Sequence, residues 1–291
     1  MKVLPFEIPK PGSEGLVYQE DQERVFYNQL HQHREIQLSY IVRGSGTLIV
    51  SDSINSFNSG DLFVIGSNVP HVFRSDETAT EQSLMKSLFF HRDSFGPDFF
   101  ELEETSELFH FFERSRTGIQ ILSRKEVIQR IFNSLGRATG LERLIALLQI
   151  LNELNKSEYQ SLSSVLQDIQ LSRREGQRLR DVFNFTASHY DSQITLDQVA
   201  TVANMTKTAF CKYFKKRTNK TYIQFLNEYR IEMFIRLKKM HTEASISQLA
   251  YDQGFGSISN FNKTFKRTKG VSPGTYFKEK RYMEKQRGLG P

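Results

Sequence analysis

The sequence predicts an α+β chain: an antiparallel β-barrel or jelly roll, then helices, then an all-α segment with two helix-turn-helix units joined by a linker helix. Three observations carry this prediction. Residues 16–92 are short runs rich in Val, Ile, Phe and Tyr, broken by Gly, Ser, Asn and Asp. Residues 141–154 carry apolar side chains at helical spacing. The pattern F-x-K-x-F-K-[KR] occurs twice, as FCKYFKK at 210–216 and FNKTFKR at 261–267, 51 positions apart.

In chain order, LSYIVRG, GTLIVSD, GDLFVIG and HVFRSD read as barrel strands whose alternate side chains point into the mouth. From about Pro97 strand alternation ceases. Segments 98–115, 125–136 and 140–155 read as helices, the last with apolar positions 141, 144, 145, 148, 151 and 154. A polar stretch near 155–164 leads to a charged helix, RREGQRLRDVFNFTASHY. The expected domains are therefore 1–95, a helical dimerisation or linker region 96–170, and 171–291.

The two basic motifs extend backwards into a repeat, ITLDQVATVANMTKTAFCKYFKK at 194–216 and SISQLAYDQGFGSISNFNKTFKR at 245–267. Each opens on a capping residue, Thr195 or Ser245. Small Ala200 and Ala250 permit close helix approach, and Asn204 and Gly254 are residues that tolerate positive φ. Met205 and Phe255 follow as apolar plugs, and Thr206 or Ser257 caps a second helix with phenylalanines at i and i+4. Burying those phenylalanines leaves an outer face of Lys207, Thr208, Cys211, Lys212 and Lys215 in the first unit. In the second it leaves Ile258, Ser259, Asn262, Lys263 and Lys266. Such faces read base edges and phosphates in a major groove. Between the units, 221–241 has the apolar spacing of a spacer helix, about 27 Å long for 18 residues.

Charge divides along the same line. The net charge of +6 conceals 23 Lys/Arg against 10 Asp/Glu in residues 171–291, and 16 against 23 in residues 1–170. The basic half has the footprint of a nucleic-acid binder. The start MKVLPFEIPKPGSEG shows no apolar signal segment, and Cys211 is the single cysteine, so the expected location is the cytoplasm and no disulfide framework is possible. No exposed aromatic stacking face argues for single-stranded RNA recognition.

The segment ISQLAYDQGFGSISNFNKTFKRTKGVSP (246–273) closely resembles the signature of the AraC/XylS family of bacterial transcription regulators, with Gly270, Ser272 and Pro273 in register. The first unit departs from it at Asn204, where glycine is common, and at TNKT (218–221), where the following glycine is replaced. The resemblance implies a double helix-turn-helix domain on DNA. By position it makes Lys207, Thr208, Cys211 and Lys212 the first reader, and Ile258, Ser259, Asn262 and Lys263 the second, with Asn262 suited to adenine and the lysines to guanine or phosphate.

The first half, with HQHREIQLSYIVRGSGTLIV (31–50) and GDLFVIGSNVPHVF (60–73), resembles the degenerate cupin barrel that such regulators carry as a sensing domain. On a continuous strand His31, His33, Glu35 and Gln37 share one face, and His71 sits where the second cupin motif supplies its histidine. These five residues are the candidate ligand-binding set. His31, His33 and His71 are also possible metal ligands, although Gln37 stands where the enzymatic pattern needs Glu. A metal-dependent cupin enzyme with a helical appendage is the alternative reading. The favoured one is a regulator rather than an enzyme, with no cofactor. Its partners are double-stranded DNA, a small-molecule effector, a second copy of the chain through the 141–151 helix, and RNA polymerase, with no membrane.

Overall fold

Period-two alternation builds the first half. In β2 (Ile36–Arg43), Ile36, Leu38 and Tyr40 face one way while Gln37, Ser39 and Ile41 face the other, and all are buried. Both faces are therefore covered, one by a second sheet and one by helices. The computed structural model describes residues 15–26, 28–76, 81–164 and 171–286. It divides into two units, residues 1–181 with 217–219, and residues 182–216 with 220–291.

In the first unit β1 (Leu16–Glu23), β3 (Gly46–Val50), β4 (Ser53–Phe57), β5 (Leu62–Ile65), β6 (His71–Ser75), β7 (Ser83–Phe90), β8 (Ile119–Ile121) and β9 (Tyr159–Ser161) join β2. They form a six-stranded sheet ordered β1-β7-β2-β5-β8-β9 and a three-stranded sheet ordered β4-β3-β6. Every pairing is antiparallel. Ile41, Phe63 and Met85 from one sheet meet Leu48, Phe57 and Phe73 from the other in the barrel core.

Helices α1 (Phe109–Ser115), α2 (Lys125–Ser134) and α3 (Gly140–Asn155) lie on the outer face of the larger sheet. Phe111, Ile128, Phe132, Leu147 and Ile150 share one core with Leu38, Val64 and Leu88. The region 96–164 thus shares its core with the barrel. Thr139 and Glu142 form a reciprocal capping box at the start of α3. Leu141 and Ile145 of α3 are exposed, at 69 % and 48 %, while Leu144 and Leu148 are half-buried outside that core.

In the C-terminal part α4 (Arg173–His189) precedes α5 (Leu196–Val202), α6 (Lys207–Thr218), α7 (Tyr222–Met240), α8 (Ile246–Asp252), α9 (Ile258–Lys269) and α10 (Pro273–Gln286). Thr221 and Gln224 cap α7 as Thr195 and Gln198 cap α5. No helix among the described residues is long and apolar enough to cross a membrane.

Candidate nucleic-acid interface and histidine cluster

The two helix pairs α5–α6 and α8–α9 are built alike. Asn204 and Gly254 both adopt positive φ, +52° and +79°, at the same place in the repeat. Each turn closes with the same two backbone bonds. Asn204 N–H donates to Thr201 O and Gly254 N–H to Tyr251 O, both at 2.9 Å. Met205 N–H reaches back to Ala200 O at 2.9 Å and Phe255 N–H to Ala250 O at 3.2 Å. Ala200 and Ala250 are buried, as the close approach of the helices requires. The second helices are capped through Thr206 Oγ1 on Ala209 N–H and Ser257 Oγ on Asn260 N–H. The first caps differ: Thr195 completes a capping box, whereas Ser245 makes no side-chain cap bond. Phe255 is a buried plug, while Met205 is half-buried.

Phe210, Phe214, Phe261 and Phe265 are all completely buried. Truncating such a ring costs about 3–5 kcal/mol. The first pair meets Tyr222 and Phe225 at 5.5–5.7 Å, and the second meets Phe234 at 4.5 and 5.9 Å. The seats on α7 are 9–12 residues apart, or about 14–18 Å along the axis. The spacer is therefore not used end to end. Its middle, residues 229–235, is buried on every side, unlike the one-sided stripe expected.

With the phenylalanines inward, Lys207, Thr208, Cys211, Lys212 and Lys215 are exposed on α6, and Ser259, Asn262, Lys263 and Lys266 on α9. Ile258 differs, because it packs partly against the second unit's core. Lys207 Nζ donates to Asp197 at 2.8 Å, and that carboxylate holds the ammonium above the usual lysine range. Asn262, Lys263 and Lys266 border a cleft of about 600 Å³ with Ser247 and Ser272.

Arg230 is a residue that sequence reasoning missed. Buried in α7, it donates from Nε to Tyr190 O and from Nη2 to Ser192 O, each at 2.7 Å, and lies over the Phe255 ring. Burial lowers its pKa, with Tyr222 and Asp191 acting the other way. It ties α7 to the segment before α5 and to the turn of the second unit. An arginine in an apolar stripe reads as a solvated charge, so nothing in the sequence marked it.

In the barrel, His31 and His71 pair across an isolated bridge, with His31 N–H donating to His71 O and His71 N–H to His31 O. Residues 34 and 35 form a bend rather than a strand, so the expected common face is broken before Gln37. His31, His33, Gln37 and His71 nevertheless come together. The ligand nitrogens of the three histidines lie within 4.8 Å of one another. Each Nδ1 faces a backbone carbonyl: His31 that of Gln29 at 2.9 Å, His33 that of Glu35 at 2.9 Å, His71 that of Val69 at 2.8 Å. A carbonyl only accepts, so each Nδ1 carries the hydrogen and each neutral ring keeps its lone pair on Nε2. Gln37 Oε1 lies 3.0 Å from His33 Nε2 and 3.1 Å from His71 Nε2. Glu35 is not in this convergence. Its carboxylate sits at the opposite edge of the ring, 3.6 Å from His33 Nδ1. The donor set, three imidazoles fixed by second bonds, fits a transition-metal ion of the kind a cupin barrel implies.

A helix-turn-helix domain model matches residues 199–279, and a cupin model matches residues 7–93. The chain is 24 % identical over 260 residues to the HTH-type transcriptional regulator YdeC of Bacillus subtilis, covering 87 % of each. It is 20 % identical over 247 residues to an HTH-type transcriptional regulator of Staphylococcus aureus, spanning 83 % of this chain and 31 % of that longer protein. Among solved structures, ToxT of Vibrio cholerae aligns over 90 % of this chain and 96 % of its own, with TM-score 0.36 and 16 % identity. The DNA-binding domain of AdpA, solved with a target DNA, aligns over 38 % of this chain and 97 % of its own, with TM-score 0.35 and 26 % identity. The chain thus carries a cupin region followed by a helix-turn-helix domain of AraC type, and its relatives are HTH-type transcriptional regulators.

Proposed function

We propose that the chain binds double-stranded DNA through the outer faces of α6 and α9, and that its barrel senses an effector. The observation that carries the reading is the matched pair of faces, each exposing lysines opposite two fully buried phenylalanines. Residues 171–291 serve as the DNA-binding domain, 1–95 as the sensor and 96–170 as the dimerisation region.

Asn262 carries a side-chain amide able to pair with both adenine N6 and N7. Lys212 and Lys263 suit guanine or phosphate, and Lys215 and Lys266, one turn on, suit phosphate. Lys207 must exchange Asp197 for a phosphate on binding, which lowers its net contribution. The seats on α7 supply part of the 34 Å groove repeat, and the outward projection of the two readers supplies the rest. The exposed Leu141 and Ile145 on α3 form the dimer contact that lets two chains engage two half-sites. The dimer would then recruit RNA polymerase, and the chain acts in the cytoplasm.

An effector controls DNA affinity only by binding one arrangement better than another. The test is quantitative DNA binding over a range of salt, using duplexes selected in vitro by the chain. Removing one phosphate-binding lysine reduces the slope of log K on log salt by about 0.9. A slope near zero, or equal affinity for selected and random duplexes, would overturn the reading.

A further inference from the structure

The cleft of about 600 Å³ beside α9 combines two kinds of surface. Ile246, Ile258 and Pro273 are its apolar lining, and both isoleucines are half-buried, packing on the core of their unit with part of their surface left to the cleft. Asn262, Lys263 and Lys266 supply its polar groups, and no acidic side chain lines it among the described residues. All three are exposed, with no side-chain bond among the described residues. Ile258, Asn262 and Lys266 are spaced by four, so they follow one another along one edge of α9, about 6 Å apart on its axis. An apolar group, an amide and an ammonium thus stand in a row, with the apolar group at the start of the helix.

We propose that Ile258, backed by Ile246 and Pro273, selects a thymine by its 5-methyl group, close to the adenine that Asn262 reads. The inference rests on the reading of α9 as a DNA-contacting helix. The one apolar group that a major groove presents is the thymine methyl. Cytosine offers an N4–H donor at that edge, and the purines offer N7 with O6 or N6. An isoleucine laid on any of these removes water and returns no hydrogen bond, so it gains only from thymine. Position supports the same reading. The first residues of a groove-bound helix are the ones that reach base edges, and Ile258 is the first residue of α9. Base pairs stack about 3.4 Å apart, so the 6 Å step from Ile258 to Asn262 covers about two of them. Lys266, about 12 Å from the start, falls to a phosphate.

The first unit carries different chemistry in the same row: Lys207, Cys211 and Lys215. Lys207 follows its cap Thr206 as Ile258 follows Ser257, and its ammonium is held by Asp197 at 2.8 Å. Ser247 occupies the place of Asp197 in the second unit. One reader therefore opens on an ion pair and the other on an apolar wall. The repeat in the protein is then not matched by a repeat in the DNA, and the two sub-sites differ in sequence.

The test uses the full chain and a duplex that it selects in vitro, with affinity read by fluorescence anisotropy. Each thymine in turn is replaced by deoxyuridine, which removes one methyl group and keeps every hydrogen-bonding group. Expected is a loss of about fourfold at one thymine, the effect of burying one methyl-sized group. That thymine should lie within about two base pairs of the position where Asn262→Ala relaxes the preference for adenine. Ile258→Ala should bind the thymine and deoxyuridine duplexes equally. Ile258→Val, which leaves the packing of α9 nearly intact, should show an intermediate methyl effect, so a folding defect in the alanine variant does not hide the answer. A selected duplex without a methyl-sensitive thymine overturns the proposal. So does a methyl effect that both Ile258 variants keep in full, or one that lies away from the Asn262 position. Sequence-selective binding would persist in each of these cases and leave the DNA reading standing. A chain that prefers no selected duplex over random DNA overturns that reading and the proposal with it.

Discussion

Replacing Gly254 by alanine tests how the second helix-turn-helix unit is held. The residue sits at φ +79°, where a side chain costs about 1–2 kcal/mol. A Cβ built there would lie 2.8 Å from both Tyr190 O and Asp191 O and 2.9 Å from Arg230 Nη2. Two of these neighbours are backbone, and the third is an arginine already engaged with Ser192 O, so none yields cheaply. Overpacking of this kind adds about 1–3 kcal/mol. The sum is about 2–5 kcal/mol, a large share of the stability of an ordinary domain. Urea denaturation of the intact chain, followed by far-ultraviolet circular dichroism, should show the helical transition shifted down by about 1–2 M. Asn204→Gly at the equivalent turn is the control, expected to change stability by less than about 1 kcal/mol, because φ is already +52° there. An unchanged midpoint for Gly254→Ala would refute the claim that this turn is locked between Arg230 and the segment before α5.

Two further outcomes follow from α3. Leu141→Glu with Ile145→Glu should convert a dimer to a monomer in sedimentation velocity and abolish cooperative occupancy of paired half-sites; an unchanged mass would place the dimer contact elsewhere. Glu142 accepts the Thr139 N–H at 2.6 Å, and that bond holds its carboxyl below the ordinary 4.5. A depressed carboxyl adds stability above its unfolded value and loses it as pH falls through the folded one. Stability should therefore decline below about pH 4.5, and Glu142→Gln, which keeps a capping side chain, should flatten that decline in acid denaturation.

What the sequence made legible was whatever depends on spacing within one element. Phenylalanines at i and i+4, and a turn residue at a fixed offset, have one sensible arrangement, so Phe210, Phe214, Asn204 and their repeats were readable. Features set by packing between elements were not. The burial of residues 229–235 of α7 from both sides, and of Arg230 within them, arises only once α8, α9 and the segment before α5 pack around that helix. The same holds for residues 96–164, whose stripe named a helix but not the sheet face it covers. In the barrel, alternation placed Glu35 beside Gln37, yet the bend at 34–35 turns Glu35 to the back of His33 and leaves Gln37 facing the rings. Polar residues at a strand entry carry no periodic signal, because local hydrogen bonds decide their direction.

The central claim is that two matched faces read DNA together, and it is tested most directly by removing one lysine from each. Lys212 and Lys263 are exposed on α6 and α9, so alanine at either position should leave folding intact. Affinity for a selected duplex should be measured for Lys212→Ala, Lys263→Ala and the double variant at several salt concentrations. If each lysine contacts phosphate, the salt slope falls by about 0.9 per substitution and by about 1.8 in the double variant. If either reads guanine, the loss appears as about 1–3 kcal/mol of discrimination at one base pair. A double variant that binds the same duplex with unchanged affinity, slope and specificity would contradict the account.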